Sequence, residues 1–534
     1  MVSCLFLWAV WAGGNTDVID VDAAQYAAIS MEMLQNNSWL QVFQRGVDYL
    51  DKPPLLFWLS ALSFKLFGYS NLAYKLPTLL ASLLTLFYTY KLALHLYNRQ
   101  VARIAALLLG TAVGFLWANN DVKTDALMTS CIIFSAYQLI RYVDGPKLKF
   151  LLAGSVGIGL GMMAKGPMGL IFPLTTVFVY ALLNKNIIRF FSWHWLLLPL
   201  VVAVVISPML WGLYQQFDLQ PHKVVNGKTG SSGLHFFFWE QSFGRITGEN
   251  VWRNNTSFFY LFHSFALLFL PFSFLVLGAG FQKIKRAWQT RQLNDLALFL
   301  ASLLMLMALS LSSYKIPHYV LVVFPLAAVV LASEMPRWEL NTSSKWLRWH
   351  HWLLIALSTL IGVGALLIFE AGWLVWLGFV FLLYWQLKWL YKRQFTRTLI
   401  ATAVSIGFVF NVHVMPAALQ YAQGKRLANL VTEVIPADTP LYFWNRSSYA
   451  TEFYLGRRLE VISGEMLLAK HTAGEAAWYY MSADGREALL DLGLTFEAEH
   501  ELWQYDLNRI SFKFLNPYTR NKQLDPRYLV KLRR

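Results

Sequence analysis

Apolar residues run through the first 415 positions in blocks of membrane-spanning length, separated by short polar breaks. The blocks fall near 2–14, 74–97, 101–118, 126–143, 150–164, 167–183, 194–215, 256–279, 296–313, 317–333, 351–369, 372–390 and 398–415. A helix crosses a hydrocarbon core with roughly 20 apolar residues, so the pattern predicts about thirteen transmembrane helices, several only just long enough. Residues 55–67 are apolar too, but Lys65 interrupts them and Gly68 closes them. They are expected to lie along the interface. Residues 2–14 show no basic region and no small-residue cleavage site, and are read as a first helix. Beyond 415 the long blocks stop. Residues 441–444 and 477–481 read as buried strands, 448–455 and 485–492 as short helices. This alternation predicts a small α/β domain over 416–534, after a transmembrane domain over 1–415.

Charge orients the series. With a cytoplasmic amino terminus, the inner loops contain Arg99 and Arg103, Lys147 and Lys149, Lys185 and Arg189, Lys283 to Arg291, Arg337 to Arg348, and Lys392 to Arg397. Every even-numbered connection is then basic, as orientation in a membrane requires. The loops 15–73 and 216–255 and the tail face outward. The expected location is the cell inner (plasma) membrane, with the polar loops on the periplasmic or exterior face.

Composition agrees. The chain has 534 residues, 57% hydrophobic and 14% charged, with a mean hydropathy of +0.43. A net charge of +15 raises a nucleic-acid reading, but the cations sit in short loops between apolar blocks, as orientation signals do. Cys4 and Cys131 lie in apolar blocks and predict neither a disulfide nor a metal cluster.

The candidate chemistry gathers at the outer face. Asp22 is followed by Gln25 and Tyr26. The plain reading is an N-cap and capping box; the functional one is a carboxylate general base. Asp51-Lys52-Pro53-Pro54 puts a cation at a helix entry, as an interfacial lysine or as a phosphate ligand, with Asp51 to hold the lysine or to join a metal site. Asp125 opens the next span, again as an N-cap or as a second acid/base group. Lys165-Gly-Pro, Lys315-Ile-Pro-His318-Tyr319 and Arg245 bring further cations to a face that normally lacks them. Cations and carboxylates together at the outer leaflet fit a lipid-phosphate substrate and a base. A transporter or flippase of a lipid-linked sugar is the rival. It predicts internal repeats and midplane charges, and the chain shows neither.

The ordered set Asp22-x-x-x-Tyr26-Ala, Asp51-Lys52-Pro-Pro-Leu, Asp125 at a span start, Lys165-Gly-Pro and Lys315-x-Pro-His-Tyr319 resembles the bacterial membrane glycosyltransferases of the GT-C fold. These include the protein O-mannosyltransferases and the aminoarabinose transferases that modify lipid A. The resemblance implies inverting transfer of a sugar from a polyprenyl-phosphate donor to a protein, lipid A or an envelope glycan. It implies Asp22 as the base or acceptor-binding group, Lys52 and Arg245 at the donor phosphate, and Lys315 and Tyr319 beside the donor. Two departures stand out. Many relatives have Asp-Glu where this chain has Asp22-Ala23. The histidine that helps aminoarabinose transferases hold zinc before the loop arginine has no counterpart in Trp239 to Arg245. No cofactor is called for on these grounds, and a divalent metal is left open.

Overall fold

The computed structural model describes residues 11–533 except 191, 226, 242, 248–252, 255, 341–344, 508 and 509. The expected first helix lies almost wholly outside these residues. Each of the other twelve apolar blocks holds a helix. Among the described residues eight helices are long and apolar enough to cross a membrane, nine if the bent pair Tyr260–Leu268 and Ser273–Thr290 counts as one span. Met168–Leu183 and Asn294–Ser310 are shorter. The block 101–118 divides into Arg99–Thr111 and Val113–Ala118 because Ala112 is extended (ψ 134°). The break leaves a backbone donor that lipid cannot satisfy. Val113 N–H donates instead to the Leu270 carbonyl, at the bend of the 108° pair. Leu55–Phe67 forms the expected short helix, exposing Leu62, Leu66 and Phe67 and burying Leu56, Phe57 and Phe64.

The loops assigned to each face bond among themselves. On the inner face His95 meets Asp144 (2.6 Å), Arg189 donates to the Val143 and Asp144 carbonyls, and Tyr97 donates to Asp295. Arg286 joins Asp295 to Glu334, and Glu339 accepts from Thr396 N–H. On the outer face Thr16 donates to the Asn120 carbonyl, Asn120 to Asn411, Gln216 to the Val42 carbonyl, and Asn254 to the Lys315 carbonyl. The helix Thr124–Asp144 separates the two sets. Its 21 residues rise about 31 Å at 1.5 Å each, the thickness of a hydrocarbon core.

The inner cluster is built around two side chains with no exposure. Lys283 Nζ bonds Asp295 and lies 3.4 Å from Glu334, which also takes Arg286 at 2.5 Å and Arg337 at 3.2 Å. Removing one member strands buried charge. Glu334→Ala is therefore expected to destabilise the protein by about 3 kcal/mol, read as a lowered unfolding midpoint in detergent; an unchanged midpoint would dismiss the cluster as a structural element.

The tail contains a five-stranded sheet: β1 (Leu441–Trp444), β2 (Glu460–Ile462), β3 (Trp478–Ser482), β4 (Phe496–Gln504) and β5 (Asp525–Leu532), in the order β2-β1-β3-β5-β4. β1 pairs parallel with β2 and β3; β5 pairs antiparallel with β3 and β4. The helix Gly424–Val434 buries Leu427 and Val431 against Phe443, Trp478 and Tyr480. β1 and β3 match the expected strands and the helices Tyr449–Leu455 and Ala483–Asp491 the expected helices. β4 and β5 were not anticipated. The signal for β4 was the alternation of Glu497, Glu499 and Glu501, which occupy its exposed face.

Candidate active site at the outer face

Four segments converge on a cavity of about 660 Å³ beneath the outer loops. The first is the helix Asp22–Gln35, which buries Ala23, Ala24, Tyr26 and Ala27 and so turns Asp22 toward the cavity. The second is a hairpin, Phe43–Gln44 paired with Val47–Asp48, followed by Tyr49 to Lys52. At its tip Arg45 and Gly46 have positive φ (53° and 74°), and both their N–H groups donate to Glu32 at 2.7 Å. The third is the start of the span Thr124–Asp144. The fourth is the reversal after Lys165. Gly166 has φ +92°, which suits glycine. Gly169 approaches so closely that a Cβ on it would lie 2.3 Å from the Gly161 carbonyl carbon. The turn Pro317–Val323 closes the cavity with His318 and Tyr319. Val224 and Val225 of the long outer loop line its mouth.

Eight of the ten residues named from the sequence line this cavity: Asp22, Tyr26, Asp51, Lys52, Asp125, Lys165, His318 and Tyr319. The other two do not join them there. Lys315 is 5% exposed and its ammonium donates to the Ser312 carbonyl (2.6 Å), while its neighbours Tyr314 and Ile316 line the cavity. Burial pushes the Lys315 ammonium below its usual range. Arg245 belongs to the short helix Gly244–Thr247, and its side chain lies outside what the structure describes.

The cations of the cavity are held by carboxylates. Lys52 Nζ is 2.6 Å from Asp51, and Lys123 Nζ is 2.8 Å from Asp121. Lys165 Nζ donates to Asp125 Oδ1 (2.5 Å) and lies 3.8 Å over the Tyr319 ring. His318 Nε2 is 3.5 Å from the other Asp125 oxygen. Burial pulls Lys123 down, but the nearby carboxylates, Asp121 foremost, outweigh it and hold its affinity for the proton above the usual lysine value. Burial, then the neighbouring hydroxyls and carboxylates, push Tyr26 and Tyr49 well up, so both remain protonated donors.

The two aspartates differ sharply. Neither is the cap that its sequence position suggested. Val21 and Lys123 occupy the cap positions, neither with a side-chain cap bond, and Gln25 turns to Gln44 (2.8 Å) instead of completing a capping box. Asp125 is buried between Lys165 and His318. Asp22 is exposed to the cavity, and no side chain among the described residues hydrogen-bonds it.

Arg45 was missed. Nothing in Gln44-Arg-Gly marks it as a site residue. It reaches the cavity because the hairpin folds back, and it pairs with Glu452, more than 400 positions away. Lys123 carried a legible signal, a cation in a very short outer loop, and lines the cavity as well. A larger cavity, about 1180 Å³, lies between residues 11–18, 412–429 and the tail. Its charged groups are engaged outside any acid/base arrangement: Lys425 pairs with Asp17 (2.9 Å) and Arg426 donates to the Gln420 and Trp503 carbonyls. The smaller cavity gathers the candidate acid/base and cationic residues. Among the described residues no group of three or more His, Cys, Asp or Glu side chains converges as metal donors.

Residues 51–211 match the family model described as Dolichyl-phosphate-mannose-protein mannosyltransferase. The chain is 26% identical over 316 residues to the undecaprenyl phosphate-alpha-4-amino-4-deoxy-L-arabinose arabinosyl transferase of Pseudomonas savastanoi, covering 58% of this chain and 56% of that one. It is 26% identical over 350 residues to the protein of the same name from Pectobacterium carotovorum, covering 64% and 59%. The match thus spans less than two thirds of these relatives. In three dimensions the chain superposes on ArnT from Cupriavidus metallidurans, solved bound to undecaprenyl phosphate, with a TM-score of 0.76 and 17% identity over 99% of this chain and 97% of that one. The match to the mannosyltransferase model covers the Lys52, Asp125 and Lys165 segments, and the likeness to ArnT over the rest of the chain is one of fold. Over residues 51–211 the chain is thus similar to the mannosyltransferase family model, over more than half its length to arabinosyl transferases, and in its membrane fold to ArnT.

Proposed function

We propose that this protein transfers a sugar from a polyprenyl-phosphate donor to an acceptor hydroxyl or phosphate at the outer, periplasmic face of the membrane. The observation that carries this reading is one exposed carboxylate, Asp22, lining the same outer-face cavity as three half-buried lysines, Lys52, Lys123 and Lys165. In the proposed reaction the acceptor oxygen attacks the anomeric carbon from the side opposite the lipid phosphate. Where the acceptor is a hydroxyl, Asp22 takes its proton as the new bond forms; an ionised phosphate acceptor attacks without giving one up. The bond between the anomeric carbon and the phosphate oxygen breaks, and the phosphate leaves with its electron pair. Lys52, Lys123 and Lys165 face the growing charge, and fixed cations there act on the transition state. Tyr26 and Tyr49 are donors for the sugar hydroxyls. Arg245 remains a candidate phosphate ligand from the long loop. Lys315 holds the turn that carries His318 and Tyr319. No step runs through a metal.

The names of the relatives make undecaprenyl-phosphate 4-amino-4-deoxy-L-arabinose the first donor to try; lipid A, protein and envelope glycans are the acceptors to compare. Purified protein in detergent is expected to release free polyprenyl phosphate only when an acceptor is present. Lys52→Ala is expected to lower that rate about ten- to a hundred-fold, since a charge-assisted contact contributes roughly 1.5–3 kcal/mol, with a smaller loss for Lys52→Arg. Release unaffected by Lys52→Ala would remove the lysine from the phosphate site. No release with any donor and acceptor would favour a transporter, which has nothing to cleave.

A further inference from the structure

The tail is built into the wall of the candidate site. Arg45, at the tip of the first-loop hairpin, bonds Glu452 of the tail helix Tyr449–Leu455 through Nε (3.1 and 3.2 Å) and Nη2 (3.0 Å). Glu452 is 2% exposed, and the Arg45 guanidinium lies 4.0 Å over the Tyr449 ring. The other end of the loop is tied to the same helix. Asp20 Oδ1 accepts from Ala450 N–H (3.0 Å) and Oδ2 from Ser448 Oγ (2.6 Å), so a first-loop carboxylate sits at the amino end of a tail helix. Asp20 is two residues before Asp22. Phe453, on the same helix, packs against Phe64 and Tyr74 of the membrane domain.

We infer that the Arg45–Glu452 pair is a clamp through which the tail positions Asp22, and that Arg45 and Glu452 are positioning residues of the reaction; this rests on the function proposed above. The physical basis is the geometry. Asp22 begins its helix without a side-chain cap, so the entry is held locally only by backbone bonds such as Ala24 N–H to the Ile19 carbonyl and Gln25 N–H to the Val21 carbonyl. The constraint comes from both sides: Asp20 anchored to the tail before it, and Glu32 holding the hairpin tip whose arginine is anchored to the tail after it. Displacement of a proton acceptor by about 1 Å costs on the order of a hundredfold in rate. Breaking a multiply hydrogen-bonded pair whose carboxylate is buried frees that much movement without touching the cavity's lysines.

Full-length protein in detergent tests this in two ways. In the first, turnover is expressed per molecule able to bind donor. Arg45→Ala and Glu452→Ala are each expected to lower kcat about ten- to a hundred-fold with donor KM unchanged. The double variant should be no worse than the poorer single one, and Arg45→Lys should restore part of the loss. Ala at Lys470 or Glu475, an ion pair elsewhere in the tail, should change nothing. Additive losses, or kcat per donor-binding molecule equal to the parent, would overturn the clamp. The second measurement needs no turnover. Hydrogen exchange of peptides covering residues 18–30 is expected to accelerate at least tenfold in Glu452→Ala, with the span Thr124–Asp144 unaffected. Unchanged exchange there overturns the clamp even if transfer is active. Absence of transfer in the parent protein, with exchange accelerated as expected, would sink the proposed function and leave the clamp standing.

Discussion

Asp22→Asn is expected to lower turnover by about 10²–10⁴-fold, the usual contribution of a positioned general base, with the unfolding midpoint nearly unchanged. Its effect on the fold should be small for a structural reason. Asp22 is the first residue of its helix, makes no cap hydrogen bond and is exposed to the cavity. Asparagine keeps its shape and loses only the favourable placement of a negative charge at a helix amino end, roughly 0.3–1 kcal/mol. The measurement is kcat with saturating donor and acceptor, beside a thermal melt. A variant that keeps more than a tenth of parental turnover would mean that Asp22 does not take the proton.

Asp125→Asn is expected to fail differently, by losing the fold around the site. The Asp125 carboxylate is 2% exposed and is the counter-charge of Lys165, itself 13% exposed. Neutralising one member of a buried pair leaves the other charge without compensation, at about 3–5 kcal/mol. Activity should fall with the yield of folded protein. The rescue is specific. Adding Lys165→Met removes the stranded charge and keeps an apolar side chain over Tyr319, so Asp125→Asn with Lys165→Met should recover most of the lost stability while remaining poorly active, because a site cation is gone. A contrary result is equally informative. If Asp125→Asn melts like the parent but has lost at least a hundredfold in turnover, the base is Asp125, and its contacts with Lys165 and His318 are part of the acid/base chemistry.

The chain displays much of this protein openly, and the reasons are physical. Membrane helices must satisfy their own backbone, so spans are local and continuous in sequence. Twelve apolar blocks accordingly hold twelve helices or broken helices. Orientation depends on a count of lysines and arginines in short loops. The loops sorted that way are those that bond to one another at each face, as Asp144 with His95 and Asp295 with Tyr97 do on one side and Asn120 with Asn411 on the other. Once spans and faces are known, polar residues at span ends are forced onto one surface, so Asp22, Lys52, Asp125, Lys165 and Tyr319 could be named before any contact was seen. β4 is harder to read because its alternation is carried by half-exposed residues, without the buried aromatic run that marks β1 and β3.

What the sequence by itself determined, then, is the membrane class, the sidedness and the face on which the candidate site residues gather, because hydrophobic length and loop charge are properties read along one dimension. Only the tertiary structure decided how the gathered groups pair. It turned the Lys315 ammonium to a local carbonyl, enclosed Asp125 between Lys165 and His318, left Asp22 open, and brought Arg45 to Glu452 across 407 positions. Such pairings depend on distances of a few ångströms between segments far apart in the chain. Coulomb and hydrogen-bond energies select among them only after helix packing has set those distances, and no periodicity in the sequence encodes the choice.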